Sequence, residues 1–220
     1  MRQIALDTET TGLLYHQGHR IIEIGCIEII DRQITNKFFH TYINPNRHID
    51  EGAKKITGLT DKFLLDKPPF KKIVTTFFEF IYTADELIIH NANFDINFIN
   101  NELKLINFKI TNIKSKFKIF DTLNYARKIH PRKKNNLNIL CDRYNVNATK
   151  RIKHGALIDA KLLAEVYIKM TSTQNNIIYE NKTKDINPKT IPHLKSGILK
   201  ANKYELKNHI NYILKIKKNI

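Results

Sequence analysis

Two acidic residues, Asp7 and Glu9, stand two positions apart at the end of an apolar stretch that begins at Ile4. In a β-strand the side chains at positions i and i+2 point to the same face, so a strand over residues 3–9 directs both carboxylates into one space. Carboxylate oxygens suit Mg²⁺ or Mn²⁺ and are poor ligands for softer metals. The pair therefore indicates half of a site for a hard divalent cation, although exposed surface charges can produce the same pattern.

Three further residues could complete such a site. Asp95 follows the strand-like residues 86–89 at a predicted strand-to-helix junction, and His154 and Asp159 lie at the start of an amphipathic segment that continues to about residue 170. If that segment is a helix, His154 lies at its mouth and Asp159 roughly one and a half turns inside it. An imidazole with a pKa near 6.5 accepts a proton at neutral pH, so His154 is a candidate general base.

Taken in order, Asp7 with Glu9, Asp95, and His154 with Asp159 resemble the three motifs of the DEDD superfamily of 3′→5′ exonucleases. A histidine five residues before the last aspartate, rather than a tyrosine four before it, is similar to the histidine branch of that superfamily. Within this branch, residues 20–28, 63–68 and 154–160 look most like the epsilon subunits of bacterial DNA polymerase III, which are replicative proofreaders. The resemblance extends over residues 1 to about 180.

This resemblance implies hydrolysis of a DNA 3′ end with two divalent cations, Mg²⁺ or Mn²⁺. It implies that Asp7 bridges the ions, that Glu9 and Asp159 bind the first, and that Asp95 supports the second. Two ions about 3.5–4 Å apart can activate water, neutralise charge on the phosphorus and stabilise the leaving 3′-oxygen. Without cations, two carboxylates roughly 4 Å apart repel each other by about 4 kcal/mol at an effective dielectric of 20, so the cluster makes sense as a cation cage.

The same resemblance implies contacts between the terminal nucleotide and the metal ligands Asp7, Glu9 and Asp159, together with four other residues: Thr10, Thr57, Asn91 and Phe94. Phe94 could pack on the sugar or base, or it could belong to the core. Two positions depart from the family pattern. Thr57 stands where many relatives have histidine, and Gly52 stands where the epsilon subunits resembled here have glutamate.

The hydrophobic pattern predicts an α/β fold with a mixed sheet flanked by helices, and the resemblance implies that it is ribonuclease H-like. Strands are predicted over residues 3–9, 20–30, 37–43, 86–90 and 118–121. Helical periodicity is predicted over residues 70–81, 94–103, 122–130, 137–144 and 155–170. His40 and His90 are predicted to be core or edge residues.

The pattern predicts three regions: an exonuclease domain at 1–172, a flexible linker at 173–197 and a C-terminal segment at 198–220 containing a short amphipathic helix. By resemblance, that segment binds the polymerase (alpha) subunit. A glutamine followed by an aliphatic and an aromatic residue, Gln174, Ile177 and Tyr179, resembles a motif that docks on the sliding clamp. A small accessory (theta) subunit is a further candidate partner.

The formal net charge is +16, and residues 181–220 carry ten lysines against Asp185 and Glu205. Such basicity suits a nucleic-acid partner, although a lysine-, asparagine- and isoleucine-rich composition also reflects AT-rich codons. No apolar run reaches the ~18 residues of a membrane span, which predicts a cytoplasmic protein without membrane contact. Cys26 and Cys141 lack zinc or disulfide spacing and are expected to be reduced core residues.

Two other functions remain open from the sequence. An RNA-trimming exonuclease of the ribonuclease T or oligoribonuclease kind shares the motifs, but the linker and tail argue against it. An inactive nucleic-acid-binding module would share the fold, but the complete carboxylate set and His154 argue against loss of activity. The preference for DNA over RNA depends on the resemblance alone.

Overall fold

A computed structural model describes residues 1–149, 151, 153–172, 203, 205, 207 and 209. The chain divides into two compact units, Met1–Asn176 and Ile177–Ile220. In the second unit the four described residues are helical. The predicted linker, the clamp motif at Gln174, Ile177 and Tyr179, and most of the C-terminal helix lie outside the described residues.

Five strands form one mixed sheet in the order β3-β2-β1-β4-β5. The strands are β1 (Arg2–Thr10), β2 (Ile21–Ile30), β3 (Gln33–Tyr42), β4 (Glu86–Ile89) and β5 (Lys118–Asp121). β1 and β2, and β2 and β3, pair antiparallel, whereas β1 with β4 and β4 with β5 pair parallel. The predicted mixed sheet is confirmed, and the strand that carries Asp7 and Glu9 lies at its centre.

Seven α-helices accompany the sheet within the described residues of 1–172. They are α1 (Glu51–Thr57), α2 (Asp61–Leu64), α3 (Phe70–Ile81), α4 (Ala92–Leu105), α5 (Thr122–Ile129), α6 (Leu137–Arg143) and α7 (Ala156–Thr171). Five of them match predicted helices to within two residues at each end. α1 and α2 were not predicted, because seven and four residues are too few to establish a helical period.

Alternation along β1 separates two hydrophobic cores. Ile4 and Leu6 pack with α3 and α4, whereas Ala5 packs with α6 and α7. Asp7 and Glu9 continue the face of Ala5, because strand side chains alternate with a period of two. Both carboxylates therefore face the side of the sheet that α7 covers.

A glycine allows α7 to approach the sheet closely. Gly25 on β2 pairs with Asp7 in the strand register. A Cβ atom at Gly25 would lie 2.3 Å from the backbone of Ala156 and Leu157, the first residues of α7. Such a separation is impossible without backbone movement, so the absence of a side chain at Gly25 brings the start of α7 next to Asp7.

β3 begins at Gln33, four residues before the predicted start, because a tight hairpin joins it to β2. Asp31 and Arg32 form the two-residue turn with φ values of 48° and 67°. Positive φ at both positions is the type I′ geometry that suits the twist of antiparallel strands, and Asn-Gly or Asp-Gly is its usual sequence. Asp-Arg does not give that signal, so the hairpin was missed.

Cys26 and Cys141 are both buried and form no disulfide, so their predicted place in the core is confirmed. Burial raises the pKa of the Cys141 thiol to about 11, which keeps it protonated at neutral pH. Within the part of the chain that the structure describes, no helix is both long and apolar enough to cross a membrane.

Candidate active site

The predicted acidic residues converge on one cavity. It measures about 420 Å³ and lies where β1, the start of α4 and the start of α7 meet. Seven predicted site residues line it: Asp7, Glu9, Asn91, Phe94, Asp95, His154 and Asp159. The two other predicted substrate residues, Thr10 and Thr57, are not among its lining residues.

Ligand atoms of three of these side chains are close enough to share one metal ion. The ligand atoms of Glu9, His154 and Asp159 all lie within 4.8 Å of one another. Asp7 lies on the same strand face as Glu9, and the carboxylates of this group are suitable oxygen ligands for Mg²⁺ or Mn²⁺. The residues therefore fit the predicted cation site, with the imidazole at its edge.

The carboxylates disfavour each other's ionisation. Burial raises the pKa of Asp7, and the charges of Asp95, Glu9 and Asp159 raise it further. Burial and the charge of Asp159 raise the pKa of Glu9 to about 8, with a contribution from Glu23. Burial raises the pKa of Asp95 to about 7. A divalent cation between these groups would stabilise their ionised forms, which is what a cation-binding cluster requires.

Asp95 is fixed from the opposite strand face. Its Oδ1 accepts hydrogen bonds from the backbone N–H of Thr8 at 3.0 Å and from the Thr8 hydroxyl at 2.7 Å. Thr8 points away from Asp7 and Glu9 because it lies between them on β1. The strand thus provides two carboxylates from one face and, through Thr8, orients a third that comes from α4.

Arg151 binds the remaining carboxylate. Its Nε and Nη2 donate to the two oxygens of Asp159 at 2.5 and 2.6 Å, and its Nη1 donates to Asn138. The side chains of Arg151 and Asp159 are 8% and 3% exposed. Burial alone would raise the pKa of Asp159, but its close contact with His154, the hydrogen bonds from Arg151 and the Arg151 charge lower it overall. The guanidinium therefore contacts the same oxygens that a cation would use.

The same guanidinium contacts His154. Arg151 Nη2 lies 2.9 Å from His154 Nδ1, while Asp159 Oδ2 is 3.4 Å from that nitrogen. Since arginine can only donate, the shorter contact makes Nδ1 an acceptor and leaves the proton on Nε2. With its side chain 45% exposed, His154 can reach water in the cavity.

A helix that the sequence pattern did not reveal positions His154. The backbone N–H of His154 donates to the carbonyl of Ile56 in α1 at 3.1 Å. α1 ends at Gly58, whose φ of 74° suits glycine, and a Cβ there would lie 2.5 Å from the Lys153 side chain. α1 thus supports the loop that delivers the histidine.

Thr10 and Thr57 use their hydroxyls inside the protein. Thr10 Oγ1 donates to the Gly12 carbonyl at 2.7 Å, and Thr57 Oγ1 donates to the Ala53 carbonyl at 2.9 Å. The neighbouring Gly12 packs closely on His19, whose ring would lie 2.3 Å from a Cβ placed on Gly12. The substrate contacts of Thr10 and Thr57 stay predictions.

Asn91 and Phe94 border the cavity at the start of α4. Asn91 adopts a left-handed conformation with φ 62° at the N-cap, and it is exposed. Phe94 is partly buried and packs on Phe98 with ring centroids 4.9 Å apart. Phe94 therefore packs against the core and also presents surface to the cavity, and its contact with the sugar or base of the substrate stays a prediction.

Sequence reasoning missed two charged residues near the carboxylates. In the sequence, Arg151 belongs to no recognisable motif and is simply a basic residue three positions before His154. Glu23 is 3% exposed, lies opposite Glu9 in the strand register, and contacts His40 Nε2 at 2.7 Å. The predicted edge position of His40 on β3 is confirmed. His90 lines the cavity, and burial lowers its pKa to about 4.

Similarity to known proteins extends over most of the chain. The family described as Exonuclease (RNase_T) matches residues 4–167. A DNA polymerase III subunit epsilon from Buchnera aphidicola subsp. Schizaphis graminum is 48% identical over 225 residues, covering 96% of this chain and 95% of that protein. The subunit of the same name from Escherichia coli K12 is 45% identical over 182 residues, covering 81% of this chain and 74% of that protein.

Solved structures share the fold. An Exonuclease X in complex with 5′-overhanging duplex DNA matches with a TM-score of 0.58 and 25% identity, covering 79% of this chain and 93% of that chain. The nuclease domain of 3′hExo, a DEDDh family member bound to rAMP, matches with a TM-score of 0.66 and 19% identity, covering 77% of this chain and 91% of that chain. The second likeness, at its lower identity, concerns the fold alone.

Proposed function

The chain belongs to the exonuclease family and, within it, to the epsilon subunits of DNA polymerase III, and we propose how its residues carry out proofreading. As a proofreading exonuclease it removes nucleotides from a DNA 3′ end. The observation that carries the residue assignment is the grouping of Glu9, His154 and Asp159 ligand atoms within 4.8 Å, in a cavity that Asp7 and Asp95 also line.

Four carboxylates would hold the cations, which we propose to be two Mg²⁺ or Mn²⁺ ions: Asp7, Glu9, Asp95 and Asp159. When bound, the ions supply charge neutralisation at the phosphate and lower the pKa of water. Asp7 and Glu9 are held by the central strand, and Asp95 is oriented by Thr8. These supports keep the carboxylates in position without substrate, so little reorganisation is needed when the phosphodiester enters.

His154 acts as the general base in this proposal. A water molecule in the cavity loses its proton to a ring nitrogen of His154 as it attacks the phosphorus. The 3′-oxygen of the preceding nucleotide leaves with the bonding electron pair and takes up a proton from solvent water to form the 3′-hydroxyl. The bond to phosphorus formed by the water oxygen replaces the bond that breaks, which releases a deoxynucleoside 5′-monophosphate. Nδ1 can accept that proton after Arg151 withdraws from it, so movement of Arg151 is part of the proposal.

Partners and location follow from the family in the same proposal. The C-terminal segment, residues 198–220, would bind the polymerase (alpha) subunit in the bacterial cytoplasm. Gln174, Ile177 and Tyr179 would contact the sliding clamp, and a small theta subunit would bind the exonuclease domain. The curated relatives quoted above are DNA polymerase III subunits, which favours DNA over RNA as the substrate.

One assay tests the core of this proposal. A 3′-mismatched DNA primer and an RNA oligonucleotide of the same sequence are incubated with the protein, with Mg²⁺ or with EDTA. We expect nucleotides to be released from the DNA in Mg²⁺, slower release from the RNA, and none from either in EDTA. Equal rates on RNA and DNA would contradict the assigned substrate, and activity in EDTA would contradict the cation assignment.

A further inference from the structure

A second cavity of about 500 Å³ adjoins the catalytic one. The two share His90, Asn91 and Asn136 as lining residues, so they open onto each other. The second cavity adds three cations to this lining, Arg127, Lys133 and Lys134. Among the described residues that line it, none is an aspartate or a glutamate. We call this second cavity the basic groove.

The loop that presents two of these cations is held in place by hydrogen bonds of Asn135 and Arg143. Asn135 is 6% exposed, and its Nδ2 donates to the carbonyls of His130 at 3.2 Å and Lys133 at 3.0 Å. Arg143 donates to Asn135 Oδ1 at 2.7 Å and to the Lys134 carbonyl at 2.9 Å. The backbone of Lys133 and Lys134 is thus fixed while their side chains remain exposed.

The cations of the basic groove are available to a ligand. Within residues 1–149, 151 and 153–172, Arg127, Lys133 and Lys134 take part in no ion pair, whereas Lys54 and Lys67 each pair with a neighbouring acid. A solvated basic face would also leave cations unpaired. Two features distinguish the groove from such a face: its lining is shared with the catalytic cavity, and its loop is shaped by the buried Asn135 and its partner Arg143.

We propose that Arg127, Lys133 and Lys134 bind the sugar–phosphate backbone of the single strand that leads into the active site. The proposal rests on the proposed function and goes beyond it by naming the surface that holds the nucleotides before the terminal one. Contacts of cations with phosphates carry no sequence information. Such a groove therefore retains any frayed primer end, which is what an enzyme that removes every kind of mispaired nucleotide requires.

The magnitude follows from counterion release. Each phosphate contact on a single strand contributes a slope of about −0.7 to the dependence of log K on log salt concentration. Losing three contacts removes about 2 from the slope. Between 50 and 200 mM salt, the binding constant of the unaltered protein should fall about 20-fold more than that of a variant without the three cations.

The test variant carries Arg127→Gln, Lys133→Gln and Lys134→Gln in the full chain. The control variant carries Lys71→Gln, Lys72→Gln and Lys104→Gln, which removes the same charge from exposed positions outside both cavities. Binding of a 5′-labelled 12-nucleotide oligodeoxythymidylate is followed by fluorescence anisotropy in EDTA across the salt range. Hydrolysis in Mg²⁺ is measured on the oligonucleotide and on the p-nitrophenyl ester of thymidine 5′-monophosphate, which has no upstream phosphate.

We expect the slope of log K against log salt concentration to be smaller by about 2 in the test variant than in the control, and the ratio of oligonucleotide to ester efficiency to be at least tenfold below that of the control. If the folded test variant matches the control in both measurements, the basic groove is not the strand-binding surface. If the unaltered protein hydrolyses neither substrate, the proposed function fails instead. Matching thermal melting of the two variants shows that any difference does not come from unfolding.

Discussion

Replacing Arg151 by glutamine should weaken the fold without cations and strengthen cation binding. Arg151 and Asp159 form a doubly hydrogen-bonded pair whose side chains are 8% and 3% exposed. Removing one partner of a buried ion pair costs about 3–5 kcal/mol, because the other charge is left uncompensated. We take about 3 kcal/mol, since Asp159 also borders a polar cavity that water can enter.

The cation affinity should change by the same free energy in the opposite direction. In the unaltered protein, a cation that binds both oxygens of Asp159 must break the Arg151–Asp159 pair. The Arg151→Gln variant lacks this pair, so the cost of breaking it no longer opposes cation binding. A difference of about 3 kcal/mol corresponds to roughly 10²-fold tighter binding, which is the upper limit for complete replacement. We expect at least a tenfold gain.

Thermal melting and titration calorimetry measure the two effects. In EDTA the melting temperature of the Arg151→Gln variant should fall by about 6–12 °C, from about 2–4 °C per kcal/mol for a domain of this size. Saturating Mg²⁺ should reduce the difference, because a ligand stabilises the state that it binds. Arg127→Gln is the control, since Arg127 is exposed and outside the catalytic cavity.

A double-mutant cycle with Asp159→Asn isolates the pair. If Arg151 acts through Asp159, the destabilisation by Arg151→Gln should largely vanish when Asp159 is already asparagine. The reasoning is refuted if Arg151→Gln melts like Arg127→Gln in EDTA. It is also refuted if Mn²⁺ binds the variant more weakly, because Arg151 would then assist the ion rather than compete with it.

Four further changes test the other parts of the site. Asp7→Asn should abolish nucleotide release, measured by gel assay, while circular dichroism stays unchanged, because Asp7 contributes repulsion rather than packing. His154→Ala should lower kcat by about 10²- to 10⁴-fold, with little effect on DNA affinity, and a flat pH–rate profile of the unaltered enzyme between pH 5.5 and 8 would argue against the general base. In EDTA the free energy of unfolding should fall as the pH rises from 4.5 to 8. The reason is that Glu9 keeps its proton up to a pKa of about 8 in the folded state but loses it near pH 4.5 in the unfolded state. Glu9→Gln should flatten this pH dependence, measured by urea titration at each pH. Gly25→Ala should lower both the melting temperature and the activity, since its Cβ would collide with Ala156, and a fully active, stable variant would show that α7 can shift at no cost.

The central part of the site could be predicted because it follows from simple periodicities. Asp7 and Glu9 share a face through strand alternation, and the helical pattern after residue 155 places Asp159 near its observed position. Strand alternation also explains how Asp95 is oriented. Thr8 lies between Asp7 and Glu9, so its side chain points to the opposite face of β1, where its hydroxyl donates a hydrogen bond to Asp95 on α4. Residue spacing was sufficient to predict the position of a site residue wherever that residue lies on a regular strand or helix.

Features that depend on irregular backbone could not be read in this way. Arg151 precedes α7 in a loop without periodicity, so its pairing with Asp159 depends on tertiary structure alone. Gly25 looked like one more residue of an apolar strand, and its role appears only when α7 is in place. The Asp31–Arg32 turn uses positive φ values that other residues usually provide. For Arg151 and Gly25 the decisive interaction joins parts of the chain whose relative placement the sequence pattern does not specify.

The arrangement couples the charge of the site to the packing of the sheet. Gly25 lies opposite Asp7 and beneath the start of α7, so the contact that seats the helix also sets how closely Asp159 approaches the carboxylates of β1. Closer approach improves the cage for a cation and increases the repulsion between carboxylates in its absence. Arg151 offsets that repulsion by pairing with Asp159 from the loop before α7. In the mechanism proposed above, the cations would take over this role when Arg151 leaves Asp159, so the carboxylates would be compensated both before and after the ions bind.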